Sequence, residues 1–386
     1  MRISASAAYG TKADEIIHQI VATVKTALEG EQPHLALLYL TPSIAHWAEF
    51  ALEHVYRELN PRSVAGCTAE GVIGPEGEFE REPAACLWVA HWPEASLRTF
   101  YINQQAIESC SHPEDWKALF QCPNPSAASM LVLGDPYSLH VHNFLQGINQ
   151  HLPGLLVTGG MASGIDESGV NTMILDRDIY QDGAICVLME NTRPLDFVVS
   201  QGCRPIGTPW LVTDGEHNII SRLGGKKPLD LIRDLYQTLT GNERQLVQNG
   251  LFLGRVIDEY KKDFTRGDFL IRNLIGADKE KGSIAVADIL PLGTTVQFHI
   301  RDAQTAEEDL QSLLAPHSTH PPQGAWVFNC NGRGTRLFKK ENHDLQLIQD
   351  ALQKPPIGGF FCAGEFGPIG GKNFIHGHTV SLALFR

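Results

Sequence analysis

Apolar and polar positions repeat one arrangement three times along this chain: a buried strand, a turn, an amphipathic helix, a Gly-bearing loop and a second apolar strand. The first copy opens with Leu35–Leu40. Thr41-Pro42 then supplies an N-cap and a proline at the first helical position. Ile44, Trp47, Ala48, Ala51, Val55 and Leu59 share one helical face, and Asn60-Pro61 stops the helix. The loop Gly66–Gly71 and the strand Ala84–Val89 close the copy.

The second copy runs from the strand Met130–Leu133 through the turn Gly134–Ser138 and a helix over Asn143–Leu152. Its loop is Val157–Gly164 and its closing strand Ala184–Met189. The third runs from Ala325–Phe328 through the turn Asn329–Gly334, a helix over Asp344–Leu352, the loop Gly358–Gly367 and the strand Thr379–Phe385. Opening strand and loop stand about 30 residues apart in each copy, too few copies for a solenoid. Strands apolar on both faces that alternate with helices predict covered sheets of α/β or mixed α+β class.

Between the second and third copies the pattern changes. Phe197–Ile206, Trp210–Thr213, Asp268–Arg272, Ser283–Ala287 and Thr295–Ile300 read as strands. Pro228–Thr240 and Ala303–Leu314 read as helices, His317–Gln323 as a linker and Glu94–Ser129 as a mixed connector. The expected layout is an N-terminal segment 1–29 followed by two domains, 30–215 and 216–386.

Composition narrows the class. With 43% hydrophobic and 19% charged residues the chain is globular rather than disordered. A net charge of −13 and isolated basic pairs, Lys226-Lys227 and Lys339-Lys340, argue against a nucleic-acid surface. No apolar run approaches the roughly 20 residues of a membrane helix, and Met1–Ala5 lacks a secretion signal, so a cytoplasmic location is the expectation. None of the eight cysteines forms a Cys-x-x-Cys pair, which speaks against a zinc site or a disulfide framework.

Several of these motifs resemble those of FIST proteins. Gly358–Phe385 is similar to the family's closing signature, and Asn329-Cys-Asn-Gly-Arg-Gly334 to its Cys-x-Gly-Arg-Gly turn. Gly202–Gly207, Gly267–Asn273, Thr295–Asp302, Gly134–Ser138 and Gly159–Gly164 match as well, over nearly the whole chain. The resemblance implies a FIST N-terminal region followed by a FIST C-terminal region. It implies an intracellular sensory module for a small ligand, with amino acids proposed for the family. Some members are reported as haem-binding nitric-oxide sensors. No kinase, methyl-accepting or F-box segment is recognisable here, so a separate signalling protein would carry the output.

The Gly-rich loops are the candidate pocket, because glycine lets backbone approach a ligand and successive N–H groups can cradle an anion. Plain turn geometry explains them equally well. The expected binding residues are Asp135, Ser138, Gly160, Ser163, Arg204, Arg272, Asn329, Cys330, Arg333, Gly334 and Glu365. Arg333 would clamp a carboxylate through its planar fork while Glu365 or Asp135 takes an amino group, unless Arg333 and Glu365 serve to hold the turns. Arg204, Arg272 and Arg301 lie in or beside strand-like runs and would line a cavity or form internal ion pairs.

Other chemistries carry less support. His140-Val-His142 and His376-Gly-His378 have a one-face metal spacing but no third ligand. Haem would need an axial His299, His376 or His378, with no attachment motif visible. Cys330, in a strand-to-helix turn beside Arg333, is a conceivable nucleophile with His343 or His376 as base, or a packed turn cysteine. Cys67 and Cys362 read as equivalent to Gly160, a sign of tight packing. Ligand binding without a resident cofactor, rather than catalysis, is the expectation.

Overall fold

Leu35–Leu40 and Ser63–Thr68 run parallel with a helix between them, and the pairing recurs for 129–134 with 156–161 and for 324–330 with 357–362. This computed structural model describes residues 1–165 and 167–386. It divides the chain into two compact units, Met1–Val199 with Gln311–Arg386, and Ser200–Leu310.

The first unit holds three repeats of one plan. Repeat one comprises β1 (Arg2–Tyr9), α1 (Ala13–Leu28), β2 (Leu35–Leu40), α2 (Ala48–Leu59), β3 (Ser63–Thr68), β4 (Gly71–Gly74), β5 (Gly77–Glu80) and β6 (Ala84–His91). Repeat two comprises β7 (Ser96–Ile102), α3 (Gln104–Glu108), α4 (Pro113–Phe120), β8 (Ser129–Gly134), α5 (Val141–His151), β9 (Leu156–Met161), β10 (Met173–Leu175), β11 (Asp178–Tyr180) and β12 (Ala184–Glu190). Repeat three begins with β13 (Asp196–Gln201) and is interrupted by the second unit.

That unit carries β14 (Cys203–Glu216), β15 (Ile219–Leu223), α6 (Pro228–Thr238), α7 (Gly241–Asn249), β16 (Leu251–Val256), β17 (Phe269–Asp278), β18 (Ser283–Val286) and β19 (Thr295–Arg301). Its six strands close into a barrel in the order β14-β15-β18-β17-β16-β19. α8 (Ala303–Leu314) spans the boundary of the units at Leu310, and repeat three continues with β20 (Gly324–Cys330), α9 (Thr335–Phe338), α10 (His343–Leu352), β21 (Ile357–Cys362), β22 (Glu365–Ile369), β23 (Lys372–His376) and β24 (Thr379–Phe385).

Each repeat builds the same mixed sheet but sends its hairpin to a neighbour. β4–β5 of repeat one joins β21 of repeat three, β22–β23 of repeat three joins β9 of repeat two, and β10–β11 of repeat two joins β3 of repeat one. The result is three six-stranded sheets of matching order. This exchange ties all three copies into one unit, so the third copy does not stand apart from the first two.

Burial explains why the strands lack hydrophobic alternation. Leu35, Leu37 and Tyr39 face a central core shared with Trp88, Leu131, Leu133, Trp326, Phe360 and Phe385. Ala36, Leu38 and Leu40 on the opposite face meet Ile16, Ile20 and Val24 of α1 and Val55 of α2. Trp88, Trp326 and Phe385 form a triangle with ring centroids 4.7–5.3 Å apart. Each fully buried ring of this size contributes on the order of 2 kcal/mol by area.

Several local readings change. The connector 94–129 contains β7, α3 and α4, and residues 1–29 supply β1 and α1. The single strand expected over Phe197–Ile206 is two, β13 and β14, and α7 follows α6 unannounced because its apolar periodicity is weak.

Candidate functional site

The carboxyl ends of the six parallel strands in the three sheets meet at one cavity of about 420 Å³ within the first unit. Thr41, Pro42 and Ser43 follow β2, Glu70 follows β3, and Pro136 and Tyr137 follow β8. Ala162–Ile165 follow β9, Asn331 and Arg336 follow β20, and Ala363 follows β21. Loops leave open α/β sheets at these strand ends, so crevices form there and ligands of such folds bind there.

One hydroxyl joins the three copies at the floor. Ser163 Oγ donates to the Phe361 carbonyl and accepts from the Glu70 N–H at 2.9 Å, and the side chain is buried. The charged wall is a triad. Arg336 reaches Glu70 Oε2 at 3.1 Å and the Asn331 carbonyl at 2.6 Å, while Arg81 Nε lies 3.6 Å from Glu70 Oε1. Glu80 accepts from both N–H and Oγ1 of Thr335 at 2.9 Å, pinning the start of the short helix that carries Arg336. Gly334 immediately before it has φ +56°, and a Cβ there would fall 2.4 Å from a Glu80 oxygen.

Of the expected binding residues, Ser163 lines this cavity. Asp135 and Ser138 shape its wall from behind. Asp135 accepts from Asn171 Nδ2 at 2.9 Å, Ser138 Oγ at 2.6 Å and the Tyr137 N–H at 3.2 Å, and Ser138 Oγ accepts from Gly183 N–H at 2.8 Å. These bonds hold the turn that presents Pro136 and Tyr137.

Asn329, Cys330, Arg333 and Glu365 occupy the layer around the ends of β20 and β21. Arg333 is fully buried and spends its fork on Asp344, at 2.7 and 2.9 Å, where Asn329 Nδ2 also donates at 3.0 Å. Burial pushes the Asp344 carboxyl up, but the Arg333 charge and the hydrogen bonds from His343, Arg333 and Asn329 prevail and hold it well below the usual range. The guanidinium expected to clamp a ligand is therefore committed inside the fold, and its partner is Asp344 rather than Glu365. Glu365 is also fully buried, which raises its carboxyl well above the ordinary value, and Thr379 N–H donates to it at 3.4 Å.

Cys330 Sγ accepts from the N–H groups of Gly332 at 3.4 Å and His378 at 3.2 Å. Burial pushes its thiol up to about 12, with the Glu365 charge adding to the effect. The lowering expected from Arg333 is outweighed, and the packed-cysteine reading describes this geometry. Register also corrects one equivalence: Gly66, Gly159 and Gly359 each lie against a carbonyl of the parallel neighbour, of Leu38, Val132 and Val327, so the residue that follows Gly359, Phe360 and not Cys362, matches Cys67 and Gly160.

Arg204 and Arg272 lie in the second unit, in internal ion pairs. Arg204 bonds Asp302 at 2.9 Å and Glu243 at 3.2 Å, and Arg272 bonds Asp288 at 2.8 Å. His140 and His142 sit at the start of α5 instead of a strand. Among the described residues no three His, Cys, Asp or Glu side chains form a metal-binding group. His299 and His376 are buried, each with a ring nitrogen on a backbone carbonyl, at 3.0 and 2.9 Å, and no histidine among the described residues lines the cavity. The three histidines expected as axial haem ligands, His299, His376 and His378, are thus not among the described lining residues.

Sequence reasoning located the loops but missed Ser43, Glu70, Arg81, Tyr137 and Arg336. Position was the available signal: all but Arg81 lie within a few residues of the end of a parallel strand.

The fold and cavity define a class, a mixed α/β protein of three interlocked sheets with a polar cleft at the strand ends and a barrel inserted in the third repeat. The chain belongs to the FIST family: the FIST N domain matches residues 34–226 and the FIST C domain residues 228–368. The two matched regions meet between β15 and α6. The family is associated with signal transduction. An uncharacterized protein of Mycobacterium tuberculosis is 36% identical over 389 residues, with 100% of each chain covered. An uncharacterized protein of Mycobacterium bovis is 35% identical, covering 100% of this chain and 99% of its own. Among the described residues no helix is long and apolar enough to cross a membrane.

Proposed function

We propose that the chain is a sensory protein that binds a small polar metabolite, an amino acid or a related compound, in the cavity at the strand ends. The observation that carries this reading is the convergence of all six parallel strand ends on one cleft walled by Arg336, Glu70 and Arg81. A volume of about 420 Å³ accommodates a ligand of that size. The ligand groups are assigned to Arg336, Arg81 and Ser163, with Glu70 pairing the guanidiniums and Asp135, Ser138, Asn329, Arg333 and Gly334 supporting the loops. Because the loops of three repeats line one cleft, a bound ligand touches all three, and its binding energy can bias their arrangement for a signalling partner to read.

Isothermal titration against amino acids, oxo acids and hydroxy acids tests this. Saturable binding that Arg336→Ala weakens at least about tenfold, with the melting temperature retained, is the expected result. Binding untouched by Arg336→Ala and by Arg81→Ala would place the site elsewhere and remove the proposal.

A further inference from the structure

The charges of the cleft distinguish between ligands of one skeleton. Among the described lining residues the formal charges are Arg81, Arg336 and Glu70, two cations against one anion. Glu70 is the single carboxylate of that set, and both guanidiniums already converge on it, Arg336 through both terminal nitrogens, at 2.5 and 3.1 Å, and Arg81 at 3.6 Å. An ammonium group seeking a charged acceptor among these described residues would have to share Glu70 with two like charges. A carboxylate meets the opposite situation. Arg81 is 56% exposed, and its ion pair with Glu70 is a long one made through Nε. Arg336 is 39% exposed. A ligand monoanion brings this set to neutrality.

Resting on the cavity as the binding site, we propose that it selects small carboxylates that carry no cationic group, oxo or hydroxy acids over the corresponding amino acids. Glu70 then acts as the resident counter-ion that an incoming carboxylate displaces from the guanidiniums. It is a specificity-determining residue, because it competes with the ligand for the same donors. Glu80, through Thr335, is the positioning residue that holds Arg336 at the wall.

The test uses the full chain and four compounds of one carbon skeleton: ketoisocaproate, hydroxyisocaproate, leucine and leucine methyl ester. Titrations run at constant ionic strength on the native protein and on Glu70→Gln. The two anions are expected to bind at least about tenfold tighter than leucine, with the cationic ester weakest. Glu70→Gln is expected to tighten the anions severalfold, whereas a merely structural role for Glu70 would weaken every ligand alike. Leucine binding as tightly as the oxo acid, or anions weakened by Glu70→Gln, overturns the selectivity and leaves the cavity reading standing. Silence from all four compounds at millimolar concentration counts against the cavity itself and takes the selectivity with it.

Discussion

Gly160 of the second repeat is the register partner of Glu365 of the third, across the pairing of β9 with the exchanged hairpin strand β22. A Cβ at Gly160 would lie 2.3 Å from Cys362 Sγ and 3.1 Å from the Gly364 carbonyl. The two repeats approach here more closely than any side chain allows. Gly160→Ala is expected to cost about 1–3 kcal/mol by overpacking. Cys362→Ala in the same chain should recover part of the loss, and chemical denaturation of the single and double variants measures the coupling.

Arg333 and Asp344 form a fully buried ion pair. Arg333→Ala strands a carboxylate in the interior and is expected to destabilise by about 3–5 kcal/mol. The paired replacement Arg333→Met with Asp344→Leu should be milder than either single change, because it leaves no orphan charge. Equal losses for the single and the double replacement would show that the pair is not the reason Arg333 is needed.

Glu78 in β5 is buried with its Oε1 accepting from the Leu345 N–H at 3.0 Å. Burial first, then the Asp344 charge, raises its carboxyl from 4.5 to about 8. The fold therefore holds a proton that the unfolded chain releases. Its contribution is fully present below pH 4.5 and is lost as pH rises towards about 8. Melting temperature against pH should fall across that window more steeply in the native chain than in Glu78→Gln, which keeps a neutral group at every pH. Parallel profiles for the two chains would contradict the assignment.

Cys330 should resist alkylation. With its thiol pushed up to about 12 by burial, little thiolate forms near neutral pH. Maleimide labelling read by peptide mass spectrometry is expected to find Cys330 slow in the folded chain and fast in denaturant. Rapid labelling under native conditions would revive a nucleophilic role.

Glu80→Ala removes both hydrogen bonds that anchor Thr335, next to Arg336. Ligand affinity should drop about three- to tenfold. Arg336→Ala in the same background should then cost less than it does alone, which a double-mutant cycle reads directly.

The sequence by itself determined the elements and their recurrence. Short continuous apolar runs bounded by turn residues, such as Leu35–Leu40, read as strands covered on both faces, and Thr41-Pro42, Asn60-Pro61 and the Gly-rich stretches mark turns through local backbone preference. These are short-range effects, so the three copies, the helix Ala303–Leu314 and the loops that edge the cleft were legible. Which hairpin pairs with which sheet was not, because β4, β10 and β22 pair with strands of another repeat and their hydrogen bonds carry no side-chain signature. For the same reason the sequence could not tell two neighbouring arginines apart. Arg333 and Arg336 lie three residues apart, and only packing decides that one turns inward to Asp344 and the other outward to Glu70.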